Sequence, residues 1–256
     1  MTVQVLVATM GQKDHSLLEK MNISSDTIIG NQCDQDLVER FKWKNHQVTY
    51  LNFAERGVGL NRNNSLMRAT GDICLFADDD MRYIDEYEEM VIRAFKDNPD
   101  ADVVVFNLHD PTNSRFMIKN IKRVSYWNFL RYGTARIAVR TAKIRAAGIY
   151  FNQCFGGGTE HCHGEDNLFL AECLKRGLHV YSNPAVIAEL TEERKSSWNS
   201  GYDEKYLRDQ GVLYKTMFRK LWFLFCMQDV IRHSSQYNMK PWSAYKKMRS
   251  GALQTI

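Results

Sequence analysis

Apolar runs alternate with polar, glycine-bearing segments along most of the chain. The runs that predict strands are 3–8, 26–30, 47–52, 73–77, 102–107, 137–139 and 180–187. Apolar positions at helical spacing predict helices between them, most clearly over 84–96. Strands that alternate with helices predict an α/β fold whose sheet is mostly parallel and flanked by helices, a Rossmann-like arrangement.

Three consecutive carboxylates, Asp78, Asp79 and Asp80, end the central apolar run. Like charges repel at the end of a buried strand, and their dehydration is unfavourable. A divalent cation offsets both effects, and hard cations prefer carboxylate oxygens. We therefore expect a metal and a phosphate-bearing ligand at this position, with capping of the next helix as the alternative.

Polar residues also follow the first two strands, at Thr9 and over 31–34. The carboxyl ends of parallel strands meet at one edge of a sheet, so these groups and the three aspartates predict a nucleotide site. Arg62 lies at the start of the helix that feeds the central strand, where a guanidinium could meet a phosphate. The alternative for Arg62 is a surface charge.

A second acidic pair, Glu165 and Asp166, begins a predicted helix after the glycine-rich loop 155–160. A helix N-terminus favours an ionised carboxylate. Such a group could serve as a general base beside a bound metal and phosphate, and helix capping alone is the alternative. The same loop region carries Cys154, His161, Cys162 and His163, for which structural zinc is a further alternative.

The 256 residues have an ordinary globular composition and suffice for one large domain with a substantial core. We predict a catalytic domain over 1–210 and a basic, amphipathic helical extension over 211–256. That extension carries eight Lys and Arg residues and one Asp, a net charge of +7, which leaves −3 for the rest. A basic tail suggests an anionic partner, and the slightly acidic body argues against nucleic acid.

The apolar positions Phe218, Leu221, Trp222 and Phe225 recur at helical spacing in this extension. They could lie on an anionic membrane surface, or pack on the catalytic domain or on a second subunit, so a homodimer stays open. The N-terminal residues lack the pattern of a signal peptide, and the six scattered cysteines suit a reducing compartment. We expect a cytoplasmic protein that contacts the inner face of the plasma membrane peripherally.

The order of these motifs resembles glycosyltransferase family 2, the inverting enzymes of GT-A fold, in the branch found in bacterial surface-polysaccharide clusters. The matching features run over about 3–211, most of the chain. They are the first strand, Asn31–Asp34, Arg56-Gly57, Asn61-Arg62-Asn63, Gly71-Asp72, Phe76–Asp80, Gly164-Glu165-Asp166 with Phe169, Ser196-Ser197-Trp198 and Gly201-Tyr202.

This resemblance implies a role for each matching residue. The nucleotide-sugar would contact Thr9, Gln32, Asp34, Arg62, Asp78 and Asp79. Asp80 would hold Mg²⁺ or Mn²⁺ bridging the diphosphate. Asp166 would be the catalytic base, with Glu165 orienting the acceptor. The acceptor side would include Trp198, Gly157 and His163.

Two departures from the family pattern affect the predicted ligands. Many relatives place a metal-binding histidine after the last core strand, whereas this chain reads Ala188-Glu189-Leu190-Thr191-Glu192. Either Glu189 substitutes for that histidine, or the metal relies on Asp80 and the diphosphate. The turn after the second strand is also altered, to Asn31-Gln32-Cys33-Asp34, which leaves the donor base open with a UDP-sugar favoured.

The resulting hypothesis is a metal-dependent inverting glycosyltransferase that moves a sugar from a nucleotide-diphosphate donor to a hydroxyl of a glycan or lipid-linked acceptor. One alternative is a nucleotidyltransferase, for which Met10-Gly11-Gln12-Lys13 is a poor version of the glycine-rich signature. The other is a non-catalytic protein that binds a nucleotide sugar or a glycan, in which Asp166 would be dispensable.

Overall fold

The computed structural model describes residues 1–112, 116–191, 201–237 and 239–254. The strands within these residues are β1 (Val3–Met10), β2 (Asp26–Gln32), β3 (Leu37–Trp43), β4 (His46–Phe53), β5 (Ile73–Asp78), β6 (Met81–Tyr83), β7 (Val103–His109), β8 (Lys122–Arg123), β9 (Ile137–Arg140) and β10 (Val180–Leu190). The α-helices are α1 (Leu17–Lys20), α2 (Val58–Arg68), α3 (Tyr87–Asp97), α4 (Thr141–Ala146), α5 (Glu165–Lys175), α6 (Glu204–Phe218), α7 (Trp222–His233) and α8 (Pro241–Gln254).

The strands form a single mixed sheet in the order β3-β4-β2-β1-β5-β9-β7-β10-β6, and β8 pairs with β10. Strands β4, β2, β1 and β5 are parallel neighbours, as are β7 and β10. Strand β9 runs antiparallel between β5 and β7. The predicted α/β fold with a mostly parallel sheet flanked by helices is therefore confirmed.

Strand β3 was not predicted from the sequence. It forms a hairpin with β4 at one edge of the sheet, and Leu37 and Val38 are exposed there. A strand so open to water has no continuous apolar run to mark it. Lys44 and Asn45 in the turn both have positive φ, as a type I′ turn requires, and the local sequence signal was Asn45, because asparagine tolerates this conformation.

Apolar side chains from the two faces of the sheet form two separate cores. Val5 and Val7 belong to the core on one face, whereas Leu6 and Phe76 belong to the core on the other. On the second face the ring of Phe169 on α5 meets Phe76 edge-on, with centroids 5.5 Å apart. This contact lies one turn beyond the start of α5, so it places the N-terminus of α5 near the carboxyl end of β5.

The last three helices pack on one another and share a small core. Helices α6 and α8 approach so closely at Gly211 and Gly251 that a Cβ atom would lie 1.8 Å from the Met248 carbonyl oxygen or 2.1 Å from that of Arg208. Only glycine permits this contact. The predicted domain boundary after residue 210 falls inside α6. No helix among the described residues has the length and apolar character needed to span a bilayer.

Candidate active site

The carboxyl ends of β1 and β5 bring two of the predicted site residues into contact. These strands are parallel neighbours, with Ala8 opposite Asp78. The Thr9 hydroxyl donates a hydrogen bond of 2.5 Å to the Asp79 carboxylate. The side-chain amide of Gln12 lies 2.9 Å from the Thr9 hydroxyl and completes this group.

Asp78, the last residue of β5, contacts Arg62, whereas Asp79, one residue beyond the strand, contacts Thr9. The Arg62 side chain is only 5% exposed, and its two terminal nitrogens lie 2.6 Å from Asp78 and 2.8 Å from Glu165. Burial alone would lower the pKa of Arg62, but the two carboxylates outweigh it and raise that pKa. The alternative that Arg62 is a surface charge is wrong.

Asp166 lies beside Glu165 in the first turn of α5 and is half-buried. Burial, reinforced by the charge of Glu165, raises its pKa from 3.8 to about 7. The backbone amide of Asn167 and the charge of Arg62 oppose this shift. A carboxylate with such a pKa can take up a proton near neutral pH.

The glycine-rich loop 155–160 packs directly on Glu165. Gly156 has φ of +101°, and a Cβ atom there would lie 2.5 Å from Val58 and 2.7 Å from the Glu165 carboxylate. The carbonyl oxygen of Gly157 accepts a hydrogen bond of 3.0 Å from the Val58 amide. The structure therefore places Gly157 at the start of α2, through its backbone.

The last residues of β2 and those just after it lie beside this group. The side-chain oxygen of Gln32 accepts a hydrogen bond of 2.8 Å from the Gly57 amide, so Gln32 also positions the start of α2. Asn31 bonds to both Gln12 and Asn52. The Asp34 side chain is 94% exposed and pairs with Arg56 at 2.8 Å.

The two predicted metal ligands lie near the junction of β6 and β10. The carbonyl oxygen of Asp80 accepts a hydrogen bond of 2.8 Å from Thr191, just beyond the end of β10. Glu189 is exposed and lies opposite Arg82 on β6 and His109 on β7, a histidine that the sequence analysis did not single out. No group of three or more His, Cys, Asp or Glu side chains among the described residues could hold a metal.

These residues still fit a divalent cation whose other ligands come from a substrate. Magnesium is commonly held by one or two carboxylates together with substrate phosphates and water, and not by a closed protein cage. The half-buried carboxylate of Asp80, next in the chain to Asp79, has the hard oxygen donors that such an ion needs. Trp198 lies outside the described residues.

Helix α6 fixes the loop that precedes Glu165 through residues that the sequence analysis missed. His161 and the backbone amide of Cys162 both bond to Asp209, at 3.0 and 2.9 Å. His163 lies 2.6 Å from the side-chain oxygen of Gln210. Burial lowers the pKa of His163, which favours its neutral form. The zinc alternative is disfavoured, because no group of three or more His, Cys, Asp or Glu side chains among the described residues could hold a metal.

A buried carboxylate, Asp229, lies behind Gln210 on the inner face of α7. It accepts hydrogen bonds from Gln210 at 3.0 Å, from Tyr214 at 2.5 Å and from Tyr237, and it lies 2.9 Å from Nδ1 of His233. Because Gln210 donates its amide hydrogen to Asp229, its oxygen faces His163. Nε2 of His163 must then carry the hydrogen, which leaves Nδ1 to accept from the Cys162 thiol at 3.1 Å.

Comparisons with known proteins bear on the family and on the fold. Residues 31–151, just under half of the chain, match the family described as Glycosyl transferase family 2. A search of curated protein sequences finds no match.

Several solved structures share the fold at low sequence identity. TarS 1–349 of S. aureus in complex with UDP-GlcNAc has a TM-score of 0.60 at 17% identity, over 98% of this chain and 71% of that one. The mannosyltransferase PcManGT of Pyrobaculum calidifontis, with GDP-Man and Mn²⁺, has a TM-score of 0.56 at 12% identity, over 96% and 73%. A longer TarS chain matches with a TM-score of 0.62 at 17% identity, and this chain covers 44% of it.

The fold and the family match together define a glycosyltransferase of GT-A architecture. The resemblance to glycosyltransferase family 2 that the ordered motifs predicted is thereby confirmed, and so is the prediction of enzymatic activity. The bacterial surface-polysaccharide branch stays a prediction. The roles of individual residues stay predictions.

Proposed function

We propose that the chain transfers a sugar from a nucleotide-diphosphate donor to an acceptor hydroxyl, with inversion at the anomeric carbon. The observation that carries this proposal is the buried Arg62, which holds Asp78 and Glu165 together. It joins the predicted nucleotide edge to the helix that bears Asp166, whose pKa is about 7. Donor site and base are thus parts of one charged network.

The donor would bind at the edge lined by Thr9, Gln32, Asp34 and Asp79. Similar structures carry UDP-GlcNAc, UDP or GDP-Man, which supports a nucleotide sugar in general. We favour a UDP-sugar. The exposed Asp34 can reach a ligand from the rim, whereas the side-chain oxygen of Gln32 already accepts a hydrogen bond from the Gly57 amide.

Breaking the sugar–phosphate bond builds negative charge on the leaving diphosphate. A Mn²⁺ or Mg²⁺ ion would stabilise that charge when bound to Asp80 and the diphosphate, with Glu189 as a weaker candidate ligand. Arg62 is already neutralised by two carboxylates, so it keeps Asp78 and Glu165 in place and balances their charge beside the incoming donor.

Asp166 would accept the proton of the acceptor hydroxyl as its oxygen bonds to the anomeric carbon. The bond from that carbon to the diphosphate oxygen breaks in the same displacement, and its electron pair leaves with the diphosphate. One displacement inverts the centre. Glu165, fixed by Arg62, would orient the acceptor hydroxyl towards Asp166.

The acceptor would lie against the loop before α5, near Gly157 and His163, with Trp198 as a further candidate. The class that suits the proposal is a hydroxyl of a glycan or of a lipid-linked sugar. The contacts of His161 and His163 with α6 support a firmly held loop on this side.

The test is a thermal-shift series with nucleoside diphosphates and nucleotide sugars, with and without Mn²⁺. A ligand at about 100 times its Kd should raise the Tm by about 5–10 °C. Asp80→Ala should remove the metal-dependent part of this shift. Asp97→Asn, an exposed position on α3, is the matched control and should behave as wild type.

Two results would overturn the proposal. The absence of a shift with any nucleotide would argue for a glycan-binding protein. A shift with a nucleoside triphosphate and a sugar phosphate, but with no nucleotide sugar consumed, would argue for a nucleotidyltransferase. Product analysis by NMR with the stabilising donor would then establish whether the anomeric centre is inverted.

A further inference from the structure

Helix α7 has two apolar faces, and only one of them is covered. Its inner face is buried against α6 and α8 and includes Cys226, Asp229 and Val230. Six residues form the outer face, and four of them are apolar. They are Phe223, Leu224, Met227, Gln228, Ile231 and Arg232.

The apolar side chains of this outer face are well exposed. Ile231 is 74% exposed, and Leu224 and Met227 are 48% and 47% exposed. Leu221, just before the helix, is also 53% exposed. The outward face of a surface helix is normally polar, so an apolar stripe of this kind indicates a surface that is covered by a partner.

The charges around this face are of one sign. The only acidic residue in 211–256 is Asp229, and it is buried among its hydrogen-bond donors. Among the described residues from 211 onwards, the exposed charged side chains are therefore all Lys or Arg. They include Arg219, Lys220, Arg232, Lys240, Lys246 and Arg249.

Helix α8 adds the residues that membrane interfaces favour. Trp242, in its first turn, is 64% exposed, and the ammonium group of Lys246 lies 5.9 Å from its ring. Tryptophan beside lysine or arginine is typical of helices that lie at the boundary between lipid headgroups and acyl chains.

We propose that the outer face of α7, flanked by the cations of α7 and α8, docks on the surface of an anionic lipid bilayer. Apolar side chains would enter the headgroup boundary while the cations neutralise lipid charge. A second copy of this chain is the less suitable occupant, because a two-fold contact of this face with itself would bring like charges together.

The inner face of the same helix points towards the candidate active site. Asp229 bonds to Gln210, Gln210 to His163, and His163 precedes Gly164, Glu165 and Asp166 directly in the chain. Docking through α7 would thus hold the acceptor side near the bilayer. Only this consequence, access to a lipid-linked acceptor, rests on the proposed function, and docking itself does not.

The experiment is vesicle flotation of the full-length protein. Phosphatidylcholine vesicles with and without about one third phosphatidylglycerol are compared at two salt concentrations. We expect binding to the anionic vesicles only, weakened by salt. Leu224→Ser with Ile231→Ser should lower the partition coefficient about tenfold or more, because both side chains lose their buried area.

Two further variants separate the contributions. Lys220→Gln with Arg232→Gln should lower binding to anionic vesicles by about 30-fold, since each of the two cations near such a surface adds about 1 kcal/mol and about 1.4 kcal/mol is a factor of ten. Met67→Ser, at an equally exposed apolar position on α2, is the matched control and should bind as wild type. Circular dichroism and the nucleotide-induced Tm shift report whether each variant is folded.

Three outcomes would overturn the proposal. One is failure of the intact, folded protein to bind anionic vesicles. Another is binding that the Leu224 and Ile231 substitutions leave unchanged. The third is a dimer in light scattering that those substitutions dissociate, without vesicle binding, which would assign the face to a second copy. A loss of nucleotide binding in every form would instead count against the proposed function and leave the vesicle result intact.

Discussion

Two carboxylates in this molecule, Asp166 and Asp229, are treated in opposite ways by their surroundings. Asp229 is surrounded by donors from Gln210, Tyr214 and Tyr237, with His233 alongside. Asp166 is desolvated beside a second acid and accepts from the adjacent Asn167 amide, so its pKa rises to about 7. A carboxylate whose lone pairs are satisfied holds structure together, whereas one that is poorly satisfied is ready to take a proton.

The largest effect should come from a substitution that removes the ability of Asp166 to take up a proton. Asp166→Asn should lower kcat by about 10³-fold, because the amide cannot accept the acceptor proton. The wild-type rate should fall as the pH drops through about 7, as Asp166 becomes protonated. Initial rates of donor consumption between pH 5 and 9 check both expectations, with Asp97→Asn as the control.

Asp166→Asn should also raise the free energy of unfolding relative to wild type above pH 7. The pKa of Asp166 is about 7 in the folded protein against an ordinary value of 3.8, so the unfolded chain loses its proton first as the pH rises. Wild type therefore loses stability between about pH 4 and 7, and Asp166→Asn should be the more stable protein above pH 7. Equal urea midpoints at pH 8 would contradict the poorly satisfied character of Asp166.

The next largest effect should come from replacing Arg62, which pairs with both Asp78 and Glu165. Arg62→Met should lower the free energy of unfolding by about 3 kcal/mol, because Glu165 and Asp78 lose their counter-charge. Arg68→Met, on the exposed side of the same helix, should change it by less than about 1 kcal/mol. Urea unfolding measures both.

A double variant sharpens this expectation. Replacing Glu165 by Gln in the Arg62→Met background should restore part of the lost stability, since the uncompensated charge is then removed. Strictly additive losses would mean that the 2.8 Å contact between Arg62 and Glu165 contributes little.

Of the substitutions at Asp166, Arg62 and Asp229, the one at Asp229 should have the smallest effect. Asp229→Asn should lower the free energy of unfolding by about 2 kcal/mol, since its amide group would face donors and leave one of them unpaired. The donor-induced Tm shift should stay near that of wild type, because the hydrogen-bond partners of Asp229 are all in the C-terminal helical segment and none is a residue of the proposed donor edge. A lost Tm shift in a folded Asp229→Asn protein would end the contrast between the two carboxylates.

The sequence predicted those parts of the molecule that follow from local pattern. Buried runs such as 73–77 have a clear apolar signature, and polar residues at strand ends predicted the edge where Thr9 and Asp79 meet. It did not predict that Asp78 and Asp79 would have different partners, because β5 ends between them and the partners, Arg62 and Thr9, come from distant parts of the chain. Nor did it assign Gln32 to the backbone of Gly57, because amide orientation depends on tertiary contacts.

The C-terminal helices were predicted as helical but not as a supporting structure for the site. Asp209, Gln210 and Asp229 look like ordinary polar positions in amphipathic helices until α6, α7 and α8 pack together. The glycines at 211 and 251 were the available signal, since two small residues on different helices permit the close contact that packs α8 against α6. Their pairing across 40 residues cannot be read from local spacing.

The contacts around Arg62 and those around Asp229 also differ in the sequence separation of the residues that they join. The donors to Asp229 lie within 19 residues of it, whereas Arg62 and Glu165 are 103 residues apart, and Thr9 and Asp79 are 70 apart. Contacts of long sequence separation close late in folding because they fix long loops. A growing or partly folded chain thus cannot assemble the charge balance around Arg62 before β1, α2, β5 and α5 are all in place. The candidate active site is therefore a property of the completed sheet, and a chain arrested earlier has the same acidic residues without the contacts that bring them together.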